Sequence, residues 1–123
     1  MDPLHQPAPI LVVEDEPLIA LDIEDSLGVL GAPIRLARSL AEARAIIAEG
    51  PAPRLVLLDV VLPDGRSFDL AHEVAASGIP LLFLTGYDHG IPDTLRHIAV
   101  IEKPFSADTL VAVVTRAATI RGS

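Results

Sequence analysis

The chain predicts an α/β fold, a parallel sheet covered on both faces by helices. Two observations carry this reading. Short runs that are apolar at every position alternate along the chain with amphipathic helical patterns, as expected for strands buried on both faces. Glycines at 31, 50 and 78 stand just past the first three helical patterns, where a left-handed residue commonly ends a helix. Right-handed crossovers then restrict the topology to a few doubly wound orders.

The strand candidates are residues 9–13, 34–37, 55–59, 80–84 and 98–102. Between the first two, Pro17 falls in the first turn of a helix with an apolar stripe at Ile19, Ile23, Leu27 and Leu30, one face of a 3.6-residue repeat. The second helix opens at Ser39-Leu40-Ala41-Glu42, which reads as a capping box. A third pattern buries Leu70, Ala71, Val74 and Ala75, and a last helix starts near Ser106 with Asp108 in its first turn. In the strand order 2-1-3-4-5 the first and third strands are neighbours at the switch point. That order brings Asp15 and Asp59 side by side.

Composition bounds the function. At 123 residues the chain makes one domain. Half of its residues are hydrophobic but only 3% are aromatic, so Leu, Val, Ile and Ala must build the core. A net charge of −8, with arginines scattered singly, argues against a nucleic-acid partner. Without cysteine there can be no disulfide, thiolate metal site or cysteine nucleophile. The proline-bearing stretch 1–7 reads as a flexible tail and neither as a signal peptide nor as an anchor. No apolar run approaches the length that crosses a bilayer. A cytoplasmic protein without a membrane partner is expected.

The candidate chemistry lies at strand ends. Leu55-Val56-Leu57-Leu58 runs into Asp59, which is followed by the turn Leu62-Pro63-Asp64-Gly65; Ile10-Leu11-Val12-Val13 runs into Glu14-Asp15-Glu16. Taken singly, Asp59 could be a turn acid and Glu14 to Glu16 an acidic first helical turn. Brought to one crevice, these carboxylates repel each other unless a cation is present. Magnesium suits them, since it prefers oxygen ligands, takes one or two carboxylates and bridges to phosphate. Lys103, the only lysine, ends the fifth run beside Pro104 and Phe105, where its ammonium can meet a phosphoryl oxygen or the acids. Thr85 closes the fourth run ahead of Gly86 and can donate to a phosphoryl oxygen. Asp64 and Gly65 read as turn residues. His5, His72, His89 and His97 lack metal-site spacing and read as solvent-facing.

Glu14-Asp15, Asp59, Thr85 and Lys103-Pro104-Phe105, in that order, resemble the receiver domain of two-component response regulators. The likeness covers about residues 8–119, with a domain over 8–121. It implies a (βα)5 flavodoxin-like sandwich, phosphorylation on Asp59, and magnesium bound directly by Asp15 and Asp59, with Glu14 acting through water. It further implies a ligand from the Val61 carbonyl, contacts from Thr85 and Lys103 to the phosphoryl group, and often a cis Lys103-Pro104 peptide. Implied partners are a sensor histidine kinase or histidine phosphotransfer protein and a downstream protein target. The output face, around the fourth helix, fifth strand and fifth helix, is one that receivers also use to form homodimers. As no effector segment follows Ser123, output by protein contact is expected.

The chain departs from the common pattern at two places. Val100 stands where an aromatic usually precedes the lysine, so the usual coupling of threonine to aromatic cannot operate. The stretch from Thr85 to Lys103 is short and contains Gly86, Gly90 and Pro92, poor helix material, so a reduced or irregular fourth helix is expected. With Phe83-Leu84-Thr85-Gly86-Tyr87, these departures resemble the FATGUY subgroup, which implies a kinase of the HWE or a related type. Tyr87 is a candidate replacement for the missing aromatic, and phosphorylation is expected to order residues 86–96. Two other readings remain at this level. One is an interaction module that ignores phosphorylation. The other is an aspartyl phosphohydrolase, which wants a second Asp where Val61 stands.

Overall fold

The computed structural model describes residues 8–86 and 90–122. The tail expected at 1–7 lies outside these residues, as do Tyr87 and His89. Among the described residues seven strands and four helices follow in order. They are β1 (Ile10–Val13), α1 (Pro17–Leu27), β2 (Ile34–Ala37), α2 (Leu40–Glu49), β3 (Leu55–Asp59), β4 (Val61–Leu62), β5 (Gly65–Arg66), α3 (Phe68–Ala76), β6 (Leu81–Thr85), β7 (Val100–Glu102) and α4 (Ala107–Gly122). Five strands form one parallel sheet in the order β2-β1-β3-β6-β7, and β4 and β5 make a separate antiparallel hairpin. With the hairpin set aside, this is the predicted order.

Alternation along each strand divides the core into two layers. Val12, Leu55, Leu57, Leu82 and Leu84 face α1 and α4, whose Ile23, Leu27, Leu110 and Val114 complete that layer. Leu11, Val13, Val56, Leu58 and Phe83 face α2 and α3, meeting Ala43, Ile46, Leu70 and Val74. Every residue of β3 is buried, as the central strand of a sheet covered on both sides must be. Phe83 adds an edge-to-face contact with Phe68 at a centroid distance of 6.2 Å.

Helix ends explain the small boundary differences. Leu30 lies outside α1, because the chain tightens into a 3-10 turn over Gly28–Leu30 before Gly31 reverses it at φ 72°. The last strand starts two residues later than expected, since Ile98 N–H donates to Leu95 O in a turn. Between β6 and β7 the described chain has only the 3-10 turn Asp93–Leu95, the reduced fourth helix that was expected. Leu95 and Ile98 are nevertheless buried in the layer beside α3, and His72 pairs with Thr94 at 2.9 Å. Leu95, Ile98 and Thr94 thus hold this stretch against the α3 side of the core.

Asp64 does more than make a turn. Its two carboxylate oxygens accept from the N–H groups of Leu40 (2.9 Å) and Ala41 (3.0 Å), while Ser39 Oγ accepts from Glu42 N–H (3.1 Å). The orphan donors of α2 are therefore shared between a local cap and a residue of the distant hairpin. The hydrogen bond from Leu40 N–H, then that from Ala41, holds the Asp64 carboxyl below the ordinary carboxylate range. A carboxyl whose folded pKa is depressed adds stability above its unfolded pKa and loses it as the pH falls through the folded one. Asp64→Asn is expected to lower the melting temperature near neutrality, with the gap from wild type closing on acidification below the ordinary carboxylate pKa. A gap that stays constant or widens into acid would contradict the assignment.

Candidate functional site

Register places the reactive ends level with one another. Val13 pairs with Leu58, Asp59 with Leu84, and Thr85 with Glu102. Glu14, Asp59 and Thr85 therefore emerge at one carboxyl edge of the sheet, and Lys103 follows the tip of β7. The Lys103 N–H donates to Thr85 O at 2.8 Å, fastening the lysine to the threonine's strand. The Lys103-Pro104 peptide is cis.

Carboxylate oxygens of Glu14, Asp15 and Asp59 lie within 4.8 Å of one another. Glu14 is 1% exposed and Asp59 7%, whereas Asp15 is the most open of the three. Lys103 Nζ stands between the two buried acids, 2.5 Å from Glu14 Oε1 and 2.9 Å from Asp59 Oδ2. Burial pulls the ammonium down, but hydrogen bonds and Coulomb attraction from Glu14 and Asp59 outweigh it and hold its pKa above the ordinary lysine value. Glu14 Oε2 also accepts from Glu16 N–H at 3.1 Å, so both of its oxygens are engaged. Among the described residues, Asp59 Oδ1 has only a long contact, 3.4 Å, from Val61 N–H.

An all-oxygen set with one open carboxylate and one lightly held carboxylate suits a hard divalent cation such as magnesium, which keeps several waters. Asp15 and Asp59 can offer oxygens directly. Glu14, with both oxygens taken, is suited to an indirect role.

Thr85 is 2% exposed and lines a cleft of about 240 Å³ with Ile91, Arg96, Ile98, Val100 and Glu102. Val100 is 41% exposed on the edge strand, so its small side chain leaves this cleft open on its own side. Gly86 is exposed, Pro104 is exposed, and Phe105 packs against the α1 and α4 layer. Of the histidines, His72 and His97 are exposed as expected. The structure brings Glu14, Asp15, Asp59 and Lys103 together and sets Thr85 at the same edge of the sheet. Sequence reasoning missed Asp64, whose partners lie 24 and 23 residues earlier and leave no local signal.

Comparisons with known proteins place the chain in a family. Residues 10–115 match the family model of the response regulator receiver domain. The phyllosphere-induced regulator PhyR of Methylorubrum extorquens is 36% identical over 113 residues, covering 88% of this chain and 42% of that protein. The chain thus spans less than half of that relative. The solution structure of SdrG from Sphingomonas melonis is similar with a TM-score of 0.74 at 35% identity, covering 94% of this chain and 97% of that one. The crystal structure of the response regulator PhyR from Brucella abortus gives 0.80 at 32% identity, over 96% and 51%. Among the described residues no helix is long and apolar enough to cross a membrane.

Lys103→Met tests the electrostatics of the cluster. Removing one partner of a buried ion pair costs several kcal/mol, and about 1–3 kcal/mol is expected for a lysine that is partly exposed. In chelator the variant should melt below wild type, and magnesium should raise its melting temperature more than it raises that of wild type. An equal magnesium response in both proteins would mean that Lys103 does not balance the acids.

Proposed function

The chain belongs to the response regulator receiver family, and we propose that it works as a receiver whose Asp59 accepts a phosphoryl group from a phosphohistidine. The observation that carries the reading is the Lys103 ammonium between Glu14 and Asp59, with Asp15 completing a 4.8 Å cluster of acids at the sheet edge. In this reading Asp15, Asp59 and the Val61 carbonyl hold magnesium directly and Glu14 acts through water. The ion would supply positive charge to the equatorial phosphoryl oxygens.

Each side chain then has a defined task. An Asp59 carboxylate oxygen attacks phosphorus in line, the P–N bond breaks, and its electron pair returns to the imidazole nitrogen. Lys103 moves from Asp59 Oδ2 onto a phosphoryl oxygen, and the Thr85 hydroxyl donates to another. Later attack by water on the acyl phosphate releases inorganic phosphate and restores Asp59. Val61 stands where an aspartyl phosphohydrolase keeps its second acid, so the reading is a switch that modifies itself and not a turnover enzyme.

The donor is a sensor histidine kinase or histidine phosphotransfer protein. A kinase of the HWE type is favoured by the likeness of residues 83–87 to the FATGUY pattern. Output by contact with a protein target, or with a second copy of the chain, fits the surface around β7 and α4. Gly86, Val100, Pro104 and Phe105 border that surface, and Tyr87, outside the described residues, keeps its place in the proposal from sequence alone. The reading is cytoplasmic and needs neither nucleic acid nor membrane.

Incubation with acetyl phosphate and magnesium is expected to add about 80 Da, the mass of one phosphoryl group, to the intact protein. Asp59→Asn should abolish the adduct, and chelator should suppress it. No adduct on the wild type, or one that survives in Asp59→Asn, would overturn the proposal.

A further inference from the structure

The hairpin after Asp59 is held at both ends. At its root, Val60 N–H donates to Leu84 O at 3.1 Å and Ser67 N–H donates to Val60 O at 3.0 Å. The chain therefore leaves the sheet after Val60 and closes back on Val60 at Ser67, where α3 begins. At its tip, Asp64 reaches the first two N–H groups of α2 through both carboxylate oxygens. Contacts between root and tip follow the same course: Leu62 and Leu40 are buried in one cluster, and a Cβ on Gly65 would lie 3.8 Å from Leu40 Cδ1. Gly65 adopts φ 135°, a conformation that favours glycine, which lets the turn lie against α2.

Val61 lies within this pinned strip, opposite Arg66 in the hairpin, with its N–H turned toward Asp59 Oδ1. At 44% exposure Val61 receives little fixing from packing. The position of its peptide must come from the two anchors. We propose that Asp64 is a positioning residue for the phosphoryl site: by clamping the hairpin onto the start of α2 it fixes the Val61 peptide beside Asp59. This rests on the reading of Val61 as a metal ligand given above. The clamp acts through the backbone, since Asp64 itself bonds to α2. A carboxylate is required for it, because the amide of asparagine has one acceptor oxygen for two N–H donors.

Two variants separate positioning from general stability. Asp64→Asn loosens the hairpin and part of the α2 cap, whereas Ser39→Ala removes only the local cap from Glu42 N–H. Both should lower the melting temperature. In metal-free protein, hydrogen exchange of the amides over 61–66 should accelerate in Asp64→Asn and stay as in wild type in Ser39→Ala. Magnesium titration followed by NMR should give a dissociation constant raised about tenfold in Asp64→Asn, the low end for loss of a group that orients a ligand, and unchanged in Ser39→Ala. Phosphorylation by acetyl phosphate at saturating magnesium should then approach the wild-type rate in Asp64→Asn. Wild-type magnesium affinity in Asp64→Asn, or an equal loss in Ser39→Ala, overturns the proposal. If wild type shows no magnesium response the metal reading fails, and the exchange measurement judges the clamp alone: unchanged rates in Asp64→Asn would refute it.

Discussion

Everything at the carboxyl edge of the sheet depends on one lysine holding two buried carboxylates. Glu14 and Asp59 are nearly inaccessible to water, and their charges can share a crevice only with compensation close by. Lys103 provides it from a third strand end. The same contact occupies Asp59 Oδ2 and, among the described residues, leaves Oδ1 with a single long partner. Charge balance and the availability of a nucleophilic oxygen are therefore set by one side chain. In the proposed reaction, a cation entering beside Asp15 would relieve the demand on the lysine and leave it able to follow an incoming phosphoryl group.

The sheet makes that contact possible by keeping its strands in register. Five parallel strands with alternate residues facing two helical layers leave no freedom to slip by one position without turning the core inside out. Leu57 and Leu58, adjacent in sequence, belong to opposite layers. Fixing them fixes the direction of Asp59. The Lys103 N–H to Thr85 O bond carries the same discipline across to the last strand.

Much of this was legible in the chain. The strands and both helical layers follow from apolar runs that alternate with helical patterns, since strands buried on both faces have a conspicuous pattern; the apolar runs left a few doubly wound orders open, and the resemblance to receivers pointed to the one in which Glu14, Asp15, Asp59 and Lys103 meet. The reduced fourth helix was also legible, because Gly86, Gly90 and Pro92 oppose helix formation. Its anchoring by Leu95 and Ile98 was not: two apolar residues in a short irregular stretch have no period from which burial can be read. Asp64 was the clearest omission. Within Leu62-Pro63-Asp64-Gly65 it has the local signature of a turn acid, and its true partners, Leu40 and Ala41, become neighbours only once the hairpin is laid across α2.

Val100 bears on how a change at Asp59 can travel. Where a large ring would fill the space beside Thr85, the described chain has a cleft bordered by Val100, Ile91 and Arg96. A small aliphatic side chain on an exposed edge strand has no second packed position of different shape to occupy, so rotation of residue 100 cannot carry a signal. Direct mechanical links remain. Lys103 is bonded through its main chain to Thr85 and through its side chain to Asp59; in the proposed switch, a phosphoryl group that drew the ammonium away would pull on the start of the segment Pro104–Ser106. The hairpin supplies the other link, from Val61 beside Asp59 to the first turn of α2 through Asp64. In the proposed switch, coupling among the described residues would then run through the backbone of the two loops that flank the acceptor, without rotation of residue 100.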